Sequence, residues 1–324
     1  MLIAVTGASG FVGGAVARRL AADGHRVVGY GRRPMPGHLG QAAIEYRRWD
    51  ITRGAIGAPD VDAVVHCAAH VTEWGTADEF AAVNVTGTRN TLDTFARAKR
   101  FVHVSTASVY DLRAAKHDIT EEATVARTYL GGYAGTKIAA ERVVMGSRVE
   151  WTILRPHIVY GPGDTKILPR VLEMRRRLGT MIVPGTGRNV LSITHIENLV
   201  DAIVLALDCR GRDVFNVADE TSGTVRDLLV AFQIAFGLEP RVRTVPARAA
   251  WAAAIASEAL HRTVRSHRAS PLTRFAVAQL AHDFTLDCSR ARAVLGYAPR
   301  RSYPEAFVEL AQLEMRRKPA LVAD

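Results

Sequence analysis

The first thirty residues constrain the fold more than any other stretch. An uninterrupted apolar run at 2–6 is followed by Gly7-Ala8-Ser9-Gly10-Phe11-Val12-Gly13, and Val12, Val16 and Leu20 then recur at every fourth position until a second apolar run opens at Arg26. An unbroken apolar run is the mark of a strand buried on both faces, and a four-residue recurrence is that of one helix face. Arg18, Arg19 and Asp23 fall outside the stripe, as surface positions should. Strands at 2–6 and 26–30 around a helix at 11–22 make a βαβ unit, which implies a parallel sheet.

A strand-to-helix turn of this kind suits a phosphate. Its glycines allow the tight turn, the approach of a pyrophosphate to the backbone and close packing of helix on sheet, while the helix start offers unpaired N–H groups. Gly7, Ser9, Gly10, Phe11, Val12 and Gly13 are therefore expected to hold a dinucleotide. Glycines alone would say little, since any turn favours them. The strand before, the helix after and the second strand on schedule make the signal specific. At the end of that second strand stand Gly31, Arg32 and Arg33, with no carboxylate to receive a ribose 2′-hydroxyl. Arginine there matches a 2′-phosphate, so NADP is expected ahead of NAD; the bland alternative is an arginine capping the strand in solvent. Asp50 and Ile51, after the next strand, fall where the adenine would lie, although aspartate is common in turns.

Strand-like runs continue at 43–47, 63–66, 101–105 and 151–154, with helical stretches at about 79–99 and 133–147. After Pro162 the alternation weakens into short strands at 190–193 and 214–217 and helices at 196–207 and 224–236. The fold class is α/β: a Rossmann-like doubly wound parallel sheet over 1–165 and a smaller C-terminal substrate-binding lobe mainly over 166–324, with segments near 190–217 returning to the core. An alanine-rich run at 247–260 reads as a helix, and 265–271 as a hinge or lid beside it.

Composition narrows the partners. With 48% hydrophobic and 23% charged residues the chain has a globular balance, which excludes disordered and collagen-like classes. No run approaches the roughly 18 apolar residues of a membrane span. Met1 leads directly into the first strand without a basic region or a small-residue cleavage site, so no secretion signal is expected. Cys67, Cys209 and Cys288 are far apart and lack ligand spacing, which fits reduced thiols in a cytoplasmic protein and no metal. The net charge is +10, yet only five of the 42 basic residues are lysine and the arginines are scattered, which favours a solvated surface over a nucleic-acid partner.

Tyr133 and Lys137 lie four residues apart, on one face of a helix. A phenol titrates near 10, and lowering it by about three units would take roughly 4 kcal/mol, which a neighbouring ammonium helps to supply. Such pairs also arise by chance. The preceding Phe101-Val102-His103-Val104-Ser105-Thr106-Ala107-Ser108-Val109-Tyr110 sharpens the case, because a buried strand there runs out into hydroxyls at its carboxyl end, where ligands of open α/β sheets bind.

Taken in order, these motifs resemble the extended short-chain dehydrogenase/reductase family, the NAD-dependent epimerase/dehydratase superfamily, over almost the whole chain. Gly7, Gly10 and Gly13 look like its cofactor fingerprint, His66-Cys67-Ala68-Ala69 like its HxAA motif, and Asn84-Val85-Thr86-Gly87-Thr88 like its NVxGT segment. Tyr133 and Lys137 look like its YxxxK, and Leu154-Arg155-Pro156 through Gly163-Asp164 like its RPxxVYGPGD turn. The resemblance implies Tyr133 as acid/base and Lys137 as the residue that binds the nicotinamide ribose and lowers the tyrosine pKa. It implies Thr106 as the residue orienting the reacting oxygen, with Cys67, Ala68, Ala69, Pro156 and Ile158 lining the cofactor. Asp111 stands where the family's segment usually ends in glycine, which bears on loop geometry rather than chemistry. Ala107-Ser108 stands where dehydratases of the family carry Asp-Glu, so dehydration is not expected.

Within the family the likeness is closest to the 3β-hydroxysteroid dehydrogenase-like branch. It rests on 70–75 with Trp74-Gly75, Leu168-Pro169-Arg170, Thr194 to Asn198, Ser270 to Phe275, and Gly296-Tyr297-Ala298-Pro299 followed by Tyr303, Glu305 and Ala306. That branch implies hydride transfer to or from a ketone or secondary alcohol on a partly apolar body, as in 3β-hydroxysteroids or β-keto acids. Trp74, Thr106, Lys166 and Trp251 are expected at the substrate, with Trp251, Ile255 and Leu260 walling its pocket and Arg262, Arg265 and Arg268 at its mouth. His157 and His195 are expected to be satisfied interior residues. The family also implies a homodimer through helices near 83–99 and 133–147. Alternatives are a nucleotide-sugar epimerase or reductase, and a non-catalytic NADP-binding or RNA-binding regulator; joint retention of Thr106, Tyr133 and Lys137 argues against the latter.

Overall fold

Packing around the glycine turn decides how the chain starts. The computed structural model describes residues 1–40, 44–72, 74–126, 129–263 and 270–317. β1 (Leu2–Thr6) buries Ile3, Ala4 and Val5 completely, as a strand covered on both faces must. The chain turns into α1 (Phe11–Ala22), which buries Gly13, Gly14, Val16, Ala17 and Leu20, and returns in β2 (Arg26–Gly31). A Cβ on Gly13 would stand 2.3 Å from the Gly7 carbonyl oxygen, so only glycine lets α1 sit this close to the turn. Gly7 itself has φ 70° and presses on the backbone of Ala68, where a Cβ would meet nitrogen at 2.7 Å.

α2 (Gly37–Gly40), β3 (Ile44–Arg48) and β4 (Ala63–His66) follow. α3 (Ala77–Ala81) opens on a capping box, in which Thr76 Oγ1 accepts from the Glu79 N–H and the Glu79 carboxylate accepts from the Thr76 N–H. It runs through a π turn (Ala82–Thr86) into α4 (Gly87–Thr94), so the helix expected over 79–99 is three joined pieces that end at Thr94. Two local causes explain this. The hydroxyls of Thr88, Thr91 and Thr94 donate back to the carbonyls of Asn84, Gly87 and Asn90, which bends a helix, and Phe95 leaves it to join Tyr30 and Trp49 in an edge-to-face ring cluster. β5 (Arg100–Val104), β6 (Lys116–Ile119), α5 (Gly132–Met145), β7 (Glu150–Pro156) and β8 (Val159–Tyr160) complete the first half.

The second half runs α6 (Ile167–Leu178), β9 (Met181–Pro184), β10 (Val190–Leu191), β11 (Thr194–His195), α7 (Ile196–Asp208), β12 (Asp213–Val217), β13 (Gly223–Thr224) and α8 (Val225–Ala235). It ends with β14 (Val242–Val245), α9 (Ala247–Thr263), α10 (Arg274–Ala281), β15 (Phe284–Leu286), α11 (Ser289–Leu295) and α12 (Glu305–Arg317). Seven strands form one parallel sheet in the order β12-β7-β5-β4-β1-β2-β3, the doubly wound α/β fold expected. Chain order reverses between β1 and β4, which opens a crevice at their carboxyl ends. β12 pairs with β7, and α7 shares an apolar cluster with α1. In exchange the first half lends β6 to a four-stranded sheet ordered β13-β10-β15-β6.

Two expectations are corrected. The strand expected over 190–193 stops at Leu191, because the Ser192 carbonyl accepts from the His157 ring at 2.7 Å and Thr194 turns to pair with Val159 of β8. α9 buries Ala250, Ala254 and Glu258, and that inward stripe leaves Ile255 and Leu260 outside, 48% and 61% exposed, so they wall no interior pocket. Of the expected hinge at 265–271, residues 265–269 lie outside the described residues. Among the described residues no helix is long and apolar enough to cross a membrane.

Burial holds four interior histidines neutral, His103 among them. His66 is pulled down to about 3, and His157 and His195 to about 4. An unfolded histidine, near 6.5, takes a proton through the window in which these stay neutral, so their contribution is complete above 6.5 and is lost as pH falls toward 4. Asp219, raised by burial to about 6, and Glu121, also raised by burial, act in the opposite direction, against four histidines. The urea midpoint should fall between pH 7 and pH 5, each histidine contributing about 1.4 kcal/mol per pH unit, and His157→Gln should make the decline shallower.

Candidate active site

The crevice is floored by the glycine turn. Gly10 caps α1 without a side-chain acceptor, which leaves the first N–H groups of the helix without a side-chain partner, and the crowding at Gly7 and Gly13 keeps that helix start fixed over β1. The end of β2 folds onto the same turn: Arg33 donates to the Ser9 carbonyl at 3.1 Å, and the Tyr46 hydroxyl donates to the Arg33 carbonyl at 2.7 Å. Arg32 is exposed; against the opposing effect of burial, hydrogen bonds from Thr52 hold Asp50 below the usual carboxylate range, and the charges of Arg32 and Arg53 add to them. Asp50 Oδ1 accepts from both the N–H and the hydroxyl of Thr52, so this carboxylate caps a short turn over Ile51–Arg53. Ile51 is buried against Gly87. Cys67, Ala68 and Ala69 follow β4, with Ala68 against Gly7. Pro156 ends β7, and Ile158 beyond it has φ 40°, a strained backbone for a β-branched residue. These positions supply a cradle of backbone donors and close backbone approach that fits a dinucleotide.

The proton-handling residues gather where β5 meets α5. Tyr133 lies in the first turn of α5, its ring 6.4 Å from that of Phe275 in an edge-on contact. Burial pushes its phenol up to about 12, opposed by the nearby Thr106 hydroxyl. Thr106 caps the turn after β5, accepting from the Ser108 N–H at 3.2 Å. Lys137, one helical turn along, donates to the Val104 carbonyl at 2.7 Å and meets His103 Nε2 at 3.2 Å. Burial draws its ammonium down to about 8, opposed by Glu141. Thr106, Tyr133 and Lys137 are thus in one place. The expected direct lowering of the phenol by Lys137 is not seen: the ammonium is held back against β5, and Thr106 is the group that acts on Tyr133. Asp111 does not adopt a left-handed backbone; its carboxylate accepts from the N–H and the guanidinium of Arg113.

Beneath these lies a network that the sequence did not announce. Glu141 is the next residue on the Tyr133–Lys137 stripe. It accepts from Ser105 at 2.5 Å and from Arg155 at 3.0 and 2.7 Å, and Arg155 reaches on to the Tyr110 hydroxyl, which donates to Asn216. The Glu141 and Arg155 side chains are 0% and 5% exposed. The four-residue step from Lys137 to Glu141 was the available signal.

The expected substrate residues divide. Thr106 stands with Tyr133. Trp74 packs edge-on against His261 at 6.1 Å, with the Arg262 guanidinium 5.8 Å above it, and Lys166 donates to the Val71 carbonyl. Asn84 pins that loop to α5 through the His70 backbone and Thr136. Trp251 instead packs partly buried into the interior of the lobe. Arg262 is also 3.8 Å from Glu258, whose closer partner is Arg274, while Arg265 and Arg268 lie outside the described residues. His195 caps α7 and His157 Nδ1 bonds the Ser192 carbonyl, both buried, but His157 Nε2 has no hydrogen-bond partner among the described residues, so that ring is only half satisfied, against expectation. Among the described residues no group of three or more His, Cys, Asp or Glu is arranged to hold a metal ion. A cleft of about 570 Å³ between α1 and α7 lies away from these groups, and its Arg19, Arg300 and Arg301 are paired with Asp201 and Glu197.

The NAD dependent epimerase/dehydratase family matches residues 3–218. A 2-alkyl-3-oxoalkanoate reductase of Stenotrophomonas maltophilia is 31% identical, over 96% of this chain and 98% of that protein. The human sterol-4-alpha-carboxylate 3-dehydrogenase, decarboxylating, is 29% identical over 64% of this chain and 58% of its own length. Among solved structures, the UDP-glucuronic acid 4-epimerase of Bacillus cereus with NAD superposes with a TM-score of 0.76 at 20% identity, covering 98% of this chain and 100% of that one, which shows likeness of fold.

Removing one member of a buried ion pair leaves the other charged and unpaired, at about 3–5 kcal/mol. Glu141→Ala should therefore lower unfolding free energy by that amount in urea titrations. The double variant Glu141→Leu with Arg155→Met should recover most of the loss.

Proposed function

From the premise that this chain belongs to the NAD dependent epimerase/dehydratase family, we propose that it is an NADP-preferring reductase of a ketone carried on a partly apolar substrate, with 2-alkyl-3-oxo acids the leading class. It is an enzyme of CH–OH/C=O interconversion that uses a nicotinamide cofactor. The observation that carries the finer reading is that the Thr106 hydroxyl stands close enough to the buried Tyr133 phenol to act on it, with Lys137 one turn further along α5.

When bound, the nicotinamide supplies hydride to the carbonyl carbon. The chain does the rest. The turn from Gly7 to Gly13 holds the pyrophosphate, and Arg32 and Arg33 receive the 2′-phosphate. Thr106 and Tyr133 together fix the substrate oxygen, and Lys137 uses its remaining N–H on the ribose. A phenol kept near 12 remains protonated at neutral pH, so Tyr133 is armed as a general acid that delivers its proton to the oxygen as the carbonyl is reduced. Tyr129, Leu130, Ile158 and Tyr133 pack against the apolar interior of the lobe, which suits an alkyl-bearing substrate. The name of the reductase relative points to the same class.

Incubation with NADPH or NADH and a panel of 2-alkyl-3-oxo acids, simple ketones, sterols and UDP- or dTDP-sugars tests this directly, followed by loss of reduced-cofactor absorbance. Consumption of NADPH with the oxo acids is expected; turnover confined to nucleotide sugars would overturn the substrate class. Tyr133→Phe should cut the rate by about 10²–10⁴-fold while NADPH binding stays near that of the unaltered protein. The Arg32→Ala, Arg33→Ala double variant should weaken NADPH by about 10- to 100-fold and NADH far less, measured by calorimetry. Equal losses would remove the 2′-phosphate argument.

A further inference from the structure

Lysine ends in three N–H donors and has no acceptor. For Lys137, one donor goes to the Val104 carbonyl at 2.7 Å and a second faces His103 Nε2 at 3.2 Å. Facing an ammonium, His103 must accept at Nε2, so a neutral ring carries its hydrogen on Nδ1. That Nδ1 is buried without a hydrogen-bond partner among the described residues. His66, stacked on it at 5.3 Å, differs: its Nε2 meets Thr88 at 3.0 Å and its Nδ1 meets Thr6 at 2.7 Å. The Thr88 hydroxyl already donates to the Asn84 carbonyl, so His66 donates at Nε2 and accepts at Nδ1, and both its nitrogens are satisfied. An apolar side chain at position 103 would fill the middle of β5 with no orphaned donor. What a histidine adds there is an acceptor for Lys137.

We propose that His103 is a positioning residue for Lys137: with the Val104 carbonyl it fixes the ammonium at the end of β5 and leaves one N–H for the ribose of a dinucleotide in the crevice. This rests on the cofactor half of the function proposed above and not on its substrate. The other titratable groups acting on the ammonium are Glu141 on α5, and His66 and Cys67 at the end of β4. Glu141 favours its charge and burial opposes it. An accepting ring also favours the charged form, so removing it moves the loss of charge to lower pH.

The test compares His103→Phe, which keeps a ring but no acceptor, with His103→Gln, whose amide oxygen accepts. The measured quantity is the dissociation constant of NADPH, or of NADH if that binds better, from pH 6 to pH 10, followed by cofactor fluorescence. In the unaltered protein affinity should fall as Lys137 loses its proton near pH 8. In His103→Phe that fall should begin about one unit lower, making binding at pH 8 several-fold weaker, and His103→Gln should restore it. Thermal unfolding establishes that each variant is folded; should His103→Phe fail, His103→Leu carries the same comparison. An unchanged pH dependence in the apolar variant overturns the proposal, and so does an equal shift in His103→Gln, since packing alone would then account for the residue. If the unaltered protein binds the cofactor but reduces no ketone, the substrate reading fails while this measurement still decides the role of His103.

Discussion

A guanidinium and a carboxylate removed from water hold the reacting end of this molecule in register. Arg155 on β7 and Glu141 on α5 form two hydrogen bonds, and Ser105 at the end of β5 supplies a third to the same carboxylate. Three elements that the chain visits separately are thereby fixed at one point, next to Thr106 in the chain and one turn of α5 from Lys137. Taking both charges out of water offsets much of their attraction, so the pair contributes little net stability over apolar packing. Its value is directional: hydrogen bonds of fixed geometry set the rotation of α5, and with it where Tyr133 and Lys137 project.

The glycine turn does the equivalent work for the cofactor side. Close contact of Gly13 with the Gly7 carbonyl leaves α1 a single height above β1, and Gly7 brings the segment after β4 against the turn. The arrangement of floor and wall is therefore a steric consequence of missing side chains. Polar contacts such as that of Arg33 on Ser9 then fix the end of β2 over it.

Features that were legible in the sequence are those written in neighbouring residues. Val12, Val16 and Leu20 announced α1, the apolar runs announced the sheet, and the four-residue step from Tyr133 to Lys137 placed both on one helix face. What escaped was carried by long-range contacts or by competing local bonds. The pairing of Lys137 with His103 joins residues 34 apart, and that of Ser105 with Glu141 joins residues 36 apart. Three threonines that bond back to their own helix, and a phenylalanine drawn into a ring cluster, ended α4 before its apolar pattern did. For α9, alanines define the buried stripe, so the large side chains gave a false guide to which face looks inward.

The exchange of strands between the halves reaches beyond architecture. β6 leaves the first half to pair with β15, and β12 comes back from the second to close the free side of β7. Cut anywhere near residue 165, either fragment would present a naked strand edge, and such edges recruit other chains. The crevice and the apolar cluster packed beside it therefore belong to one piece. Recombination can swap loops around this scaffold, but it cannot graft a different second half onto the first without also replacing an outer strand of the large sheet.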